Sequence, residues 1–201
     1  MMMKHLILAP ILSLALAVPA MAEKISLAQI SNYLNSFQTA KGEFTQINED
    51  GSVTTGEILI KRPGRVRFDY APPDDSLVIA GGSQVAVFDP KSNVPPEQFP
   101  LSRTPLNLIL ARNVDFSRSN MVVAHRDDGT ATIVKVQDPQ HPEYGNIQLK
   151  FTANPVELRQ WIITNDAGGQ TTVILGDLQK GVQIGARPFN IPQEIQARGL
   201  N

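Results

Sequence analysis

The chain lacks cysteine altogether and carries one tryptophan and three histidines among 201 residues. Without thiols there are no disulfides, no thiolate metal ligands, no cysteine nucleophile and no cysteine-linked lipid anchor. Charge of either sign is scarce as a block. The formal net charge is −1, and no Lys/Arg run occurs beyond residue 22. The phosphate neutralisation that dominates nucleic-acid binding therefore has no evident source. Long apolar runs are absent too, apart from Leu6 to Val18, which at about 13 residues falls short of the ~20 that a spanning helix needs.

That one run follows Lys4 and His5 and precedes Ala20-Met21-Ala22. A charged start, an apolar segment and a small-x-small site, in that order, form a secretory signal peptide, residues 1–22. Cleavage after Ala22 would leave residues 23–201, starting at Glu23, as a single exported domain with enough chain to bury a sizeable core.

The mature chain opens on an amphipathic helix. Ser26 with Gln29 fits a capping box, and Leu27, Ile30, Leu34 and Phe37 recur at helical spacing before Lys41-Gly42 ends the run. Strand patterns follow. Phe44–Ile47 and Glu57–Arg62 are short. Val66, Phe68 and Tyr70 alternate cleanly with Arg65, Arg67 and Asp69. Leu77–Ala80 and Gln84–Asp89 flank Gly81-Gly82-Ser83, the pattern of a hairpin. Five prolines between 90 and 105 make that stretch a loop, delivering a second short helix, Leu106–Ala111, with Thr104 as N-cap and Pro105 at its first position. Further strands run over Met121–Arg126, Thr130–Gln137, Asn146–Thr152, Glu157–Asn165 and Gln170–Leu178, before a last apolar piece around Phe189 and Ile191. Roughly ten short strands with tight turns predict an antiparallel sheet curling toward a barrel, one face wet and the other covered by the two helices.

Sites for chemistry are sparse. His125 in a strand and His141 in a Pro-rich loop lack the paired spacing of a zinc site. There is neither a Gly-x-Ser-x-Gly elbow nor a phosphate-cradling glycine loop. Asp74-Asp75 and Asp127-Asp128 sit at turns, where neighbouring carboxylates point apart. No cofactor or metal is called for, and the residues speak against an enzyme.

One residue stands out. Period two in Glu57–Arg62 puts Ile58, Ile60 and Arg62 on one face and Glu57, Leu59 and Lys61 on the other. Arg62 therefore points to the apolar side. It either snorkels past Pro63 to water or stays inside and needs carbonyl or carboxylate partners, because an unpaired buried charge is costly.

Helix, then Phe44-Thr45-Gln46, Lys61-Arg62-Pro63-Gly64 and Arg67-Phe68-Asp69-Tyr70 with Pro72, resembles the periplasmic outer-membrane lipoprotein carrier family, LolA. Thr104-Pro105-Leu106 with Leu108-Ile109-Leu110 resembles that family's central lid helix, and Phe189-Asn190-Ile191-Pro192 its closing Phe-x-x-Pro. The likeness spans the whole mature chain, although Phe68 stands where many members have tryptophan, Gly81-Gly82-Ser83 replaces an Asp-Gly turn and Asn107 interrupts the lid helix.

The resemblance implies a mainly β fold with lid helices: an open antiparallel half-barrel of about eleven strands over a hydrophobic cavity. It implies a monomeric periplasmic chaperone taking acylated lipoproteins from an inner-membrane ABC transporter release complex to an outer-membrane lipoprotein receptor. It also implies that Arg62 is the lid latch, bonding lid backbone. Each exposed methylene costs about 0.8 kcal/mol, so two or three acyl chains of ~16 carbons need an extensive apolar lining. The expected lining is Val66, Phe68, Tyr70, Ile58, Ile60, Leu106, Leu108, Leu110, Leu34 and Phe37. The outer-membrane receptor shares the fold but needs a cysteine where this chain has Glu23. A lipid- or lipoprotein-sensing regulatory domain of the same fold is the other reading, and a lipid-modifying enzyme the least supported.

Overall fold

A computed structural model describes residues 24–200; the signal-peptide reading of residues 1–22 lies outside them. The chain opens with helix α1 (Leu27–Asn35), where Ser26 and Gln29 form the expected capping box: the Gln29 amide donates to Ser26 Oγ at 3.2 Å and the Ser26 amide to Gln29 Oε1 at 3.0 Å. The helix ends sooner than its periodicity suggests. Ser36 caps it, and the residues read as its last turn belong to β1 (Thr39–Ile47), where Ala40 and Phe44 alternate inward.

Strands β1, β2 (Val53–Lys61), β3 (Val66–Tyr70), β4 (Leu77–Gly81), β5 (Gln84–Phe88) and β6 (Glu97–Pro100) form one antiparallel meander. A second meander contains β7 (Val122–Asp127), β8 (Thr132–Gln137), β9 (Asn146–Thr152), β10 (Glu157–Thr164) and β11 (Gln170–Leu175). The two join because β11 pairs with β1, which gives the order β6-β5-β4-β3-β2-β1-β11-β10-β9-β8-β7. A short β12 (Gln179–Lys180) extends the β1 pairing, so among the described residues the sheet has eleven strands in line and a twelfth beside β1, in keeping with the about eleven expected. Strands β6 and β7 are its free edges. The chain passes from one to the other through residues 101–121, which carry helix α2 (Leu106–Ile109). The covering helix thus lies in the segment that links the two open edges.

Several boundaries differ from expectation. Residues 97–100 pair with β5 despite the prolines, because β6 is an edge strand and its unpaired side has no ladder to break. Helix α2 is shorter than its apolar run, and Thr104 does not cap it; the Thr104 hydroxyl donates back to the Leu101 carbonyl at 2.9 Å. A third helix, α3 (Ile191–Ala197), forms where only an apolar piece was expected, with Asn190 Oδ1 accepting from the Gln193 amide at 3.0 Å.

Helix α3 also changes the account of the faces. Leu77, Ile79, Ala86 and Phe88 point away from the main core and pack with Ile191, so the outer face is dry over β4 and β5. Arg67 anchors the helix there, donating to Glu194 Oε2 at 3.0 Å and to the Pro188 carbonyl at 3.1 Å. On the inner face Ile58, Val66, Phe68, Ile147, Leu149 and Phe151 are buried as the alternation predicts. At Gly56 a Cβ would sit 2.1 Å from the Asp69 carbonyl oxygen and 2.8 Å from the Phe44 ring. Glycine there lets the Phe44 ring lie edge-on between Phe68 and Tyr70, at 5.3 and 5.1 Å between centroids.

Candidate functional site

Two features meet inside the half-barrel: a buried arginine at one end and an apolar cavity toward the other. Arg62 follows the last residue of β2 and is 5% exposed. It does not snorkel. Its Nη2 donates to the carbonyls of Leu34 and Phe37, the second at 2.7 Å, and its backbone amide donates to the Gln38 carbonyl at 2.7 Å. The guanidinium lies 5.5 Å from the Phe37 ring centroid, in cation–π range. Nε and Nη1 have no hydrogen-bond partner among the described residues, and burial lowers the pKa, yet a guanidinium starts so high that it stays charged.

The side chain therefore grips the C-terminal end of α1, not α2. The same turn reaches α2 by its backbone: the Gly64 amide donates to the Leu110 carbonyl at 2.8 Å. Two residues apart, one side chain and one amide fasten both covering helices to the end of β2. Helix α1 is further tied to the edge-to-edge link. Asn35 exchanges hydrogen bonds with the Val114 amide and carbonyl at 2.9 and 2.8 Å, and Ser31 Oγ accepts from the Phe116 amide at 2.9 Å.

The cavity has a volume of about 590 Å³, within the ~300–1,000 Å³ usual for small-ligand sites. Phe68, Tyr70 and Leu106 line it as expected. Ile58, Ile60, Val66, Leu34, Phe37 and Leu110 are buried in the core, and Leu108 packs against it half-buried. Leu34 and Phe37 carry the carbonyls that Arg62 binds, and Leu110 the one bound by the Gly64 amide. Val78, Val85, Val87, Phe99, Trp161, Ile163 and Val173 complete the apolar wall and were not foreseen. In β5 the run Val85-Ala86-Val87-Phe88 is apolar on both faces, so alternation has no contrast to read. In β10 the register shifts between Leu158 and Gln160, which moves Trp161 and Ile163 inward, out of phase with Leu158.

Polar groups gather at one end of the cavity. The Tyr70 hydroxyl donates to Gln46 Oε1 at 2.8 Å, and burial pushes its pKa up to about 12. Arg103 and Asp166 lie on the rim, with the Arg103 guanidinium 5.5 Å from the Tyr144 ring centroid.

The histidines and aspartate pairs have local roles. His125 is half-buried in β7 with Nε2 2.8 Å from the Ile25 carbonyl. His141 stacks on Tyr144 at 4.7 Å. Asp74, Asp127 and Asp128 accept backbone amides of their own turns. No described helix is long and apolar enough to cross a membrane.

A sheet that curls without closing, with short helices over an apolar cavity, defines a half-barrel fold. The chain belongs to the outer membrane lipoprotein carrier protein LolA family, whose model matches residues 35–192. It is 29% identical over 167 residues to an outer-membrane lipoprotein carrier protein of Azotobacter vinelandii, covering 78% of each chain. It is 23% identical over 176 residues to one of Pseudomonas paraeruginosa, covering 83% of each. Among solved structures it resembles a DUF1329 family protein of Desulfovibrio piger, with a TM-score of 0.50 and 11% identity, over 82% of this chain and 94% of that one.

Proposed function

We propose that this protein is a periplasmic carrier that holds the acyl chains of lipoproteins in its half-barrel and moves them from the inner to the outer membrane. Residues 1–22 direct export and are removed, and residues 23–201 form the carrier, acting as a monomer and as a binding protein rather than an enzyme. The donor is an inner-membrane ABC transporter release complex and the acceptor an outer-membrane lipoprotein receptor.

The observation that carries this reading is Arg62. A guanidinium 5% exposed, with two nitrogens unpaired, is a poor way to stabilise a core. It is a good way to make the position of a covering helix reversible, because a modest displacement of α1 breaks its charge-assisted bonds. Cargo entry breaks the latch, and re-forming it favours release. Membership of the LolA family supports the cargo class.

The test is lipoprotein release from spheroplasts followed by transfer to acceptor membranes. The wild type releases and transfers. R62L binds cargo but transfers it slowly; transfer at the wild-type rate counts against the latch, and failure of the wild type to release any lipoprotein counts against the carrier.

A further inference from the structure

We propose that the cavity, in the state seen here, is a site for a single-chain lipid with a zwitterionic phosphate-and-amine head, the phosphate at Arg103 and the amine at Asp166. The proposal rests on the reading that the cavity takes acyl chains, and it specifies which free lipid the unopened cavity admits.

Volume sets the number of chains. A methylene fills roughly the ~30 Å³ of a liquid water molecule, so a cavity of about 590 Å³ accommodates on the order of 20 such groups. That is one acyl chain. One such chain fits without displacing α1 or α2.

Charge sets the head. Among the described residues around the cavity Arg103 is the only cation and Asp166 the only anion. They come from two different segments at that polar end, Arg103 from the turn after β6 and Asp166 from the β10–β11 hairpin. Neither lies within 4.0 Å of an opposite charge among the described residues, on each other or elsewhere. Arg103 is instead placed by Tyr144, itself stacked on His141. Two opposite charges on one rim, neither in an ion pair among the described residues, match a head that carries both signs. A purely anionic head would face Asp166 uncompensated, and a neutral head would use neither. The wall below is apolar, with Phe68, Val78, Trp161 and Val173 toward the interior.

Trp161 supplies the readout, because it is the single tryptophan of the sequence and lines the cavity. The probes are lipids of one chain length, brominated on the chain to quench indole fluorescence: lysophosphatidylethanolamine, lysophosphatidylglycerol, monoacylglycerol, and two-chain phosphatidylethanolamine. Lysophosphatidylethanolamine is expected to quench Trp161 at a concentration about tenfold below monoacylglycerol. R103Q removes that advantage, and D166N removes the preference over lysophosphatidylglycerol. Both side chains are exposed, so both variants fold. Equal binding of the three single-chain heads, or variants that leave their order unchanged, overturns the head assignment while chain binding stands. Equal quenching by the two-chain lipid overturns the single-chain limit. If no probe quenches Trp161, the acyl-cavity reading falls with the proposal.

Discussion

Nη2 of Arg62 lies 2.7 Å from the carbonyl oxygen of Phe37, which joins the end of a strand to the residues just past a helix. With Leu34 as its second acceptor, the guanidinium takes up carbonyls that the end of α1 leaves unpaired. Leucine at 62 removes both bonds but also a buried charge with two unpaired nitrogens, and such exchanges run from neutral to stabilising. R62L is therefore expected to keep its unfolding free energy in urea within ~1 kcal/mol of wild type. Amide exchange in α1 should nevertheless accelerate; unchanged exchange there would show that Arg62 does not hold the helix.

Gly56 is the tightest inner-face position, with the Asp69 carbonyl and the Phe44 ring both inside the space of a Cβ. Neither neighbour moves freely, since Asp69 is in β3 and Phe44 is packed between two aromatic rings. G56A is expected to lower stability by about 1–3 kcal/mol, the usual cost of overpacking. Urea unfolding measures it, and a midpoint equal to wild type would mean the strands part without cost.

Strand β5 was legible only from the Gly81-Gly82-Ser83 turn before it, whereas β2 to β4, β8 and β9 were legible because apolar alternation and turn residues agreed. Arg62 was legible for the same reason, as a charge in phase with Ile58 and Ile60. Its partners on α1 were not, because nothing in a β pattern states which helix end arrives at its side. The wall at Trp161 was hidden by a register shift, and α3 by shortness, since Ile191 and Ile195 show only one helical repeat. Which of the expected lining residues border open space and which pack in the core was not legible, because sequence alone does not show how deeply α1 fills the half-barrel.

Arg67 and Glu194 make a prediction about acid. Burial raises the pKa of Glu194, but hydrogen bonds from Arg198 and Arg67 outweigh it and leave the value below the ordinary 4.5. A carboxyl depressed in the folded state contributes stability above its unfolded pKa and loses it as pH falls through the lower folded value. The anchoring of α3 should thus be constant at neutral pH and weaken below about pH 4.5. Both side chains keep some solvent contact, so the pair is expected to contribute about 1 kcal/mol. In E194Q the amides of α3 should exchange faster at pH 7, and the difference from wild type should shrink in acid. Equal exchange in E194Q and wild type at pH 7 would mean that packing on Leu77 and Phe88, not charge, holds the helix.

Val78 gives the sharpest test of where chains go. It faces Phe68 across the β3–β4 ladder and borders the cavity, so a larger side chain there grows into empty space. Overpacking usually costs 1–3 kcal/mol because neighbours must move, but here no neighbour occupies the added volume. V78F is therefore expected to leave the urea midpoint equal to or above that of wild type. Phenylalanine would divide the apolar wall between Phe68 and Val85 and shorten the path open to a chain. Uptake of a brominated single-chain lipid, read at Trp161, should fall about tenfold, the factor that goes with the loss of one or two buried methylenes. I174F is the control, because Ile174 lies on the outer face at 40% exposure and should leave uptake unchanged. Equal loading of V78F and wild type would place the chains outside this cavity. Loss of uptake in both variants would point to a general effect on the sheet, so only the contrast between the two faces supports an acyl site bounded by Val78, Phe68 and Trp161.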